Sequence, residues 1–289
     1  MNDSGQNAKF VGDPDYKPYD KRRLSYSGTY TELWKVLSIR AIEWLTGKIT
    51  LLHLIRKFEA MGPARGQEFW QRTLTLMGID LQTPADQIAN IPATGPVVVV
   101  ANHPHGLVDG LVMAKLVGNV REDFKILTRS LLTGIEEIAY HMVPVPFPHE
   151  EGALEKGLEM RRIAMEHLQN GGVVILFPSG SVATSETWFG PAIEQEWNPF
   201  TAKMILRSNA VIVPIHFPGQ NSRWYQIANK ISPIIRQGLL LHEVAFALNK
   251  PQAPIVGAPI GREEIAKWAS NPRGFMAWLR ETTLALGKR

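Results

Sequence analysis

Five apolar runs limit what this chain can fold into: "VVVVA" (97–101), "KILT" (125–128), "MVPVPF" (142–147), "GVVILFP" (172–178) and "AVIVPIHF" (210–217). They are short, and most are apolar at successive positions rather than at every second one. That marks strands covered on both faces, as in a parallel sheet. Helical stretches over 110–116, 152–169 and 199–208 separate several of them, and "NGG" closes the second. "APIVGAPI" near the end reads as one more strand, followed by helices over 262–269 and 273–286. The expected fold class is α/β, a mixed sheet flanked by helices, over residues 79–289.

The segment before it differs. Residues 1–28 are polar and read as a loose arm. In residues 31–62, Leu33, Val36, Leu37, Trp44 and Leu45 recur at helical spacing up to a break near Gly47, and Ile49, Leu52, Ile55 and Phe58 continue beyond it. Lys35, Arg40, Lys48, Arg56 and Lys57 flank this apolar surface, and Trp34 and Trp44 are residue types of the lipid–water interface. A further helix covers 66–78. The reading is an amphipathic helical hairpin within 29–78 that docks on a membrane; its alternative is a helical pair packed on the domain.

Charge supports the first reading. Residues 1–75 hold 12 Lys/Arg against 8 Asp/Glu, and the remainder holds 19 of each, so the whole formal surplus of +4 lies in the first quarter. The surplus sits on Trp-rich helices and not on a groove-reading module, which disfavours nucleic acid as a partner. There is no cysteine, hence no disulfide, thiolate metal site or cysteine nucleophile. No run is long and apolar enough to span a bilayer, and the start has no apolar signal-peptide core.

Chemistry gathers where strands end and helices begin, and "NHPHGLVDG" (102–110) has that placement. A neutral imidazole there can take a proton from a hydroxyl while a carboxylate fixes its tautomer. Two histidines compete for Asp109. His103 stands directly after the strand with five residues between; His105 has three between and would sit one helical turn before Asp109 if the helix began early. Gly106 argues against that early start, so His103 is favoured. A metal site lacks a clear third ligand, since His141, His149, His167, His216 and His242 are scattered singly.

Three blocks in order carry a resemblance: "ANHPHGLVDG", "VVILFPSGSVAT" (173–184) and "VIVPIHFPGQNS" (211–222). Together they resemble the glycerolipid and lysophospholipid acyltransferases, with their Asn-His-x-x-x-x-Asp, Phe-Pro-Glu-Gly-Thr-Arg and late Val-Pro-Val blocks. The resemblance covers residues 95–260, and the helical hairpin looks like that family's membrane-docking element. It implies acyl transfer from acyl-CoA or acyl-carrier protein to a lysolipid hydroxyl, with His103 as base, Asp109 orienting it, no metal and no cofactor beyond the donor. The setting implied is the cytoplasmic face of the inner membrane, as a peripheral protein. A thioester is already activated, so the task left is to deprotonate and align the alcohol and to stabilise an oxyanion. Amides near Gly180 or in the 104–107 turn are candidate donors.

The departures bear on the acceptor. Ser179, Ser181 and Val182 stand where the family has Glu, Thr and Arg, and "YHMVPVPFPHE" lacks an arginine the family often carries. Serine and valine do not replace a charge-assisted fork to phosphate. The acceptor expected is therefore a lyso-aminolipid rather than lysophosphatidic acid. Asn102, His105, Arg129, Ser179, Gly180, Ser181, Asn221 and Arg223 are the candidate substrate-binding residues. Trp188, Phe189 and Trp197 are candidates to line an acyl-chain pocket.

Overall fold

The structure, a computed structural model, describes residues 19, 24–128, 135–146 and 150–288. Helices α1 (Leu33–Thr46), α2 (Lys48–Ala60), α3 (Gly66–Leu76) and α4 (Ala85–Ile88) lead into strand β1 (Val97–Ala101). Then follow α5 (Leu107–Gly118), β2 (Phe124–Thr128), β3 (Met142–Pro144), α6 (Ala153–Gln169), β4 (Val173–Leu176), a small ribbon of β5 (Thr184–Ser185) and β6 (Ala192–Ile193), and α7 (Pro199–Arg207). The chain continues through β7 (Val211–His216), α8 (Arg223–Ile231), α9 (Pro233–Gly238), α10 (Leu240–Phe246), β8 (Ile255–Val256), α11 (Arg262–Ala266) and α12 (Pro272–Ala285).

The main sheet runs β3-β2-β4-β1-β7-β8; all neighbours are parallel except β8, which is antiparallel to β7. β1 lies between β4 and β7, and its five residues are all fully buried. Its side chains alternate between two cores. Val97, Val99 and Ala101 join Trp70 and Phe124 on one face, while Val98 and Val100 join Met160, Ile205 and Phe275 on the other. Helices on both faces explain why the strands read as continuous apolar runs.

The α/β expectation holds, with shifted boundaries. The helix after the first strand begins at Leu107, where the turn at Gly106 ends, and the run at 142–147 forms a strand only over Met142–Pro144. The stretch 223–246, left unassigned by periodicity, holds three short helices. Ser222 and Ser232 start two of them by accepting the amide hydrogens of Tyr225 and Ile234.

Two expectations for the N-terminal segment are corrected. Residues 24–28 are not part of a loose arm: Leu24 and Ser27 are buried, and the carboxylate of Glu43 accepts the Tyr26 amide at 2.6 Å and the Ser25 hydroxyl at 2.7 Å. Nor do α1 and α2 close on each other as a hairpin. A single residue, Gly47, joins them, too short a link for antiparallel neighbours. α1 packs along α9, and α2 against α3 and α10. A Cβ at Gly47 would meet the Leu241 backbone at 2.6 Å, so the bend is wedged onto α10.

Candidate active site

β1 ends at Ala101 and releases the chain at the carboxyl edge of the sheet. Asn102 is buried and stapled to the backbone after β7: its Oδ1 accepts the Phe217 amide at 2.7 Å and its Nδ2 donates to the Phe217 carbonyl at 2.8 Å. Both ends of the side chain are engaged there and it does not line the cavity that His103 lines, so Asn102 positions the turn and is corrected from ligand to staple. Gly106, at φ +68°, turns the chain into α5 in a conformation that L side chains rarely adopt. Asp109 follows in the first turn, where the helix N-terminus favours negative charge.

Asp109 is 0% exposed and holds both histidines. His103 Nδ1 lies 3.0 Å from Oδ2, His105 Nδ1 lies 3.0 Å from Oδ1, and the His105 amide donates to Oδ2 at 2.8 Å. Burial alone would raise the Asp109 pKa, but the two imidazoles, by charge and hydrogen bonding, bring it below the ordinary carboxylate range. An ionised carboxylate only accepts hydrogen bonds. Each Nδ1 therefore carries a hydrogen, and in the neutral form of either ring the lone pair is on Nε2.

The two Nε2 atoms have different surroundings. The His103 ring stacks on Phe177, centroids 4.2 Å apart, and lines a cavity of about 990 Å³. His105 does not line that cavity. Its ring packs against the turn after β7, where a Cβ at Gly219 would sit 3.0 Å from Nε2. Two residues separate the candidates in sequence, and in three dimensions one carboxylate serves both.

Glu194, which nothing in its local sequence marks, braces the same turn. It is buried, its Oε2 accepts the His103 amide at 3.0 Å and its Oε1 accepts the Trp197 indole at 3.0 Å. The Ala183 amide donates to the His103 carbonyl at 2.9 Å, so the loop after β4 is tied to the same residue. Burial raises the Glu194 carboxyl above its usual range, opposed by the His103 and Trp197 hydrogen bonds. A raised folded-state pKa means stability that is present below the unfolded value and lost as pH rises through the folded one. Glu194→Gln is expected to remove that limb of the stability-versus-pH curve. It also turns one acceptor into a donor facing an N–H, at a cost of about 1–3 kcal/mol. Urea melts of both proteins between pH 4 and 8 check this; parallel curves would refute it.

The other candidates divide. Ser179, Gly180 and Ser181 line the cavity. The Gly180 amide is committed to the Phe177 carbonyl at 3.0 Å and is not a free oxyanion donor. Arg223 is corrected: it starts α8, does not line the cavity and donates to the Gly190 carbonyl at 2.8 Å. Asn221 is buried away from the cavity with its Nδ2 unpartnered. Arg129 lies outside the described residues. Trp188 and Phe189 are exposed, Trp197 is buried on Glu194, and none of the three lines the cavity. Among the described residues, no group of three His, Asp or Glu side chains is placed to hold a metal ion.

A mostly parallel sheet thus carries an imidazole–carboxylate pair at the carboxyl end of a central strand, beside a large cavity, an arrangement that can take a proton from a hydroxyl bound there. The Acyltransferase family pattern matches residues 85–217, which contain both histidines, Asp109 and Glu194. That match takes in just under half of the chain and makes it similar to the lysophospholipid and glycerolipid acyltransferases. The chain is 26% identical over 153 residues to a lyso-glycine lipid O-acyltransferase of Bacteroides thetaiotaomicron, a match covering 52% of this chain and 54% of that one. A protein of the same name from Phocaeicola vulgatus is 23% identical over 153 residues, covering 52% of each. The matches thus span about half the length of these relatives. The crystal structure of the 1-acyl-sn-glycerophosphate acyltransferase of Thermotoga maritima shares the fold, with TM-score 0.50, 16% identity and 77% of each chain covered.

Proposed function

We propose that this chain is a lysolipid O-acyltransferase that moves a fatty acyl group from a thioester to a lysolipid hydroxyl. The observation that carries the reading is that His103, backed by the buried Asp109, is the histidine that lines the cavity. Its Nε2 takes the hydroxyl proton as the oxygen attacks the thioester carbonyl. The tetrahedral intermediate then expels the thiolate, which recovers the proton from the imidazolium. Asp109 holds the tautomer and stabilises the imidazolium throughout. No metal ion takes part, and the donor is acyl-CoA or acyl-carrier protein.

The acceptor proposed is a lysolipid with an amino-acid head. Val182 lines the cavity at the position where the block that this segment resembles has an arginine, and the two relatives are named for lyso-glycine lipid. Purified protein given one acyl donor is expected to acylate lyso-glycine lipid at least tenfold faster than lysophosphatidic acid. Equal or reversed rates would refute the assignment.

Delivery of such an acceptor calls for a membrane surface, and the exposed residues support one. Leu33, Leu37 and Leu45 are 72%, 54% and 86% exposed, with Trp34, Trp44 and Ile49 also open, whereas packing on the domain would have buried them. Among the described residues no helix is long and apolar enough to cross a membrane. The proposed mode is peripheral docking through α1 and α2, on the cytoplasmic face of the inner membrane. Each leucine buried in lipid contributes about 1.5–3 kcal/mol. Leu37→Glu with Leu45→Glu is therefore expected to weaken vesicle binding about a hundredfold or more, while the rate on a water-soluble short-chain acceptor is kept. Unchanged co-sedimentation with anionic vesicles would count against docking by this face.

A further inference from the structure

The cavity that receives the His103 ring is also lined by α9 and by the segment before α1, away from the three sequence blocks. Arg236 is the one Lys or Arg among the described residues that line it. The guanidinium donates through Nη1 to Asn229 Oδ1 at 2.8 Å, and makes no other hydrogen bond and no ion pair among the described residues. Two phenols accompany it. Tyr225, 3% exposed, and Tyr26 both line the cavity, and their hydroxyls take no partner among the described residues. Burial pushes the Tyr225 phenol up to about 12 and raises that of Tyr26 as well, so both are neutral donors at physiological pH. Gln237 fixes the helix from the other side by donating to Thr29 Oγ1 at 2.9 Å.

A half-buried cation without a carboxylate partner, next to two O–H donors without acceptors, is a set of donors awaiting an anion. The position matters as much as the charge. Val182 leaves the loop after β4 without a cation, so any negative charge entering this cavity meets positive charge on α9 instead. A planar, singly charged carboxylate suits a guanidinium that presents Nε and Nη2 side by side and has already committed Nη1. A lipid joined to an amino acid through its nitrogen ends in such a carboxylate.

We infer that Arg236, with Tyr225 and Tyr26, forms a binding subsite for the carboxylate of the acceptor's amino-acid head group, holding the lysolipid so that its hydroxyl reaches His103. This rests on the function proposed above and adds the residues that select the acceptor. The same anion chemistry could come from the phosphates of the donor, and the kinetics separate the two sources.

The test measures steady-state rates of the full chain with lyso-glycine lipid and with its carboxyl methyl ester, varying acceptor and acyl-CoA in turn. Wild-type protein is expected to show a KM for the acid at least tenfold below that for the ester. Arg236→Gln should raise the KM for the acid at least tenfold while leaving the ester and the acyl-CoA KM within twofold. Arg236→Lys should recover part of the difference, and Tyr225→Phe should move it in the same direction as Arg236→Gln by a smaller factor. Equal wild-type KM values for acid and ester would overturn the subsite even if every variant misfolded. A rise in the acyl-CoA KM with the acceptor KM unmoved would overturn it by assigning the cation to the donor. Failure of the wild-type protein to acylate any lysolipid would instead sink the proposed function, and this subsite with it.

Discussion

Replacing His103 with alanine is expected to lower kcat by about 10²–10⁴-fold, the range supplied by a positioned general base, with the acceptor KM little changed. His105→Ala should cost about tenfold. The difference follows from where the two Nε2 atoms lie, since both Nδ1 atoms are 3.0 Å from the same carboxylate. His103 stacks on Phe177 at the cavity wall, and its loss removes the atom that receives the proton. His105 faces the Gly219 turn. Its loss leaves Asp109 Oδ2 with the His103 ring and the residue-105 amide, and removes one charge-assisted bond from Oδ1. That is about 1.5–3 kcal/mol of local support, which reaches the reaction only in part, through the orientation of Asp109. Steady-state kinetics with thermal melts on both variants separate these effects. If His105→Ala were the more damaging to kcat with its fold intact, the base would be His105.

The parts of this arrangement legible in sequence were those encoded locally. A run of four valines and an alanine names a strand with both faces covered, and β1 has the bounds the run suggests. Gly106 marks a turn, and α5 begins directly after it. Spacing and Gly106 favour His103 but treat the two histidines as rivals for one partner, whereas Asp109 holds both. A buried carboxylate has two oxygens, and this one uses both. Asn102 looked like a ligand because a polar residue at a strand end often is one; its partner, the Phe217 backbone, is 115 residues away. Glu194 was invisible for the same reason, reaching His103 from 91 residues downstream next to a two-residue strand. Arg236 sits on a six-residue helix between Pro233 and Gly238, too short to carry a periodic signal. Tertiary closure of the site, unlike its strand-end core, is written in pairs that local patterns do not connect.

Asp109→Asn should be as damaging as removing His103, although it changes one atom and keeps the side chain's shape. Three donors converge on Asp109: two ring Nδ1–H groups and the His105 amide. An amide offers one oxygen and one NH2, so at least one N–H is left facing N–H. The backbone donor at Oδ2 cannot rearrange and favours the amide oxygen there, which places the NH2 against His105. That imidazole must then move its hydrogen to Nε2, against Gly219, or turn away. If the amide flips instead, His103 carries its hydrogen on Nε2 and ceases to be a base. Either way the negative charge that stabilises the imidazolium is gone. A kcat loss on the order of 10⁴-fold is expected, as for the loss of an orienting carboxylate in other His–Asp pairs. The pH dependence of stability supplies an independent check. The Asp109 pKa is lowered in the folded protein, so the stability it contributes is present above the unfolded value of about 3.9 and is lost as pH falls through the folded one. Asp109→Asn should be less stable than wild type at neutral pH and should lose less stability on acidification toward pH 3. Denaturant melts across that range decide it. A variant that kept kcat within tenfold of wild type, or whose acid limb ran parallel to it, would show that Asp109 neither orients nor charges the pair.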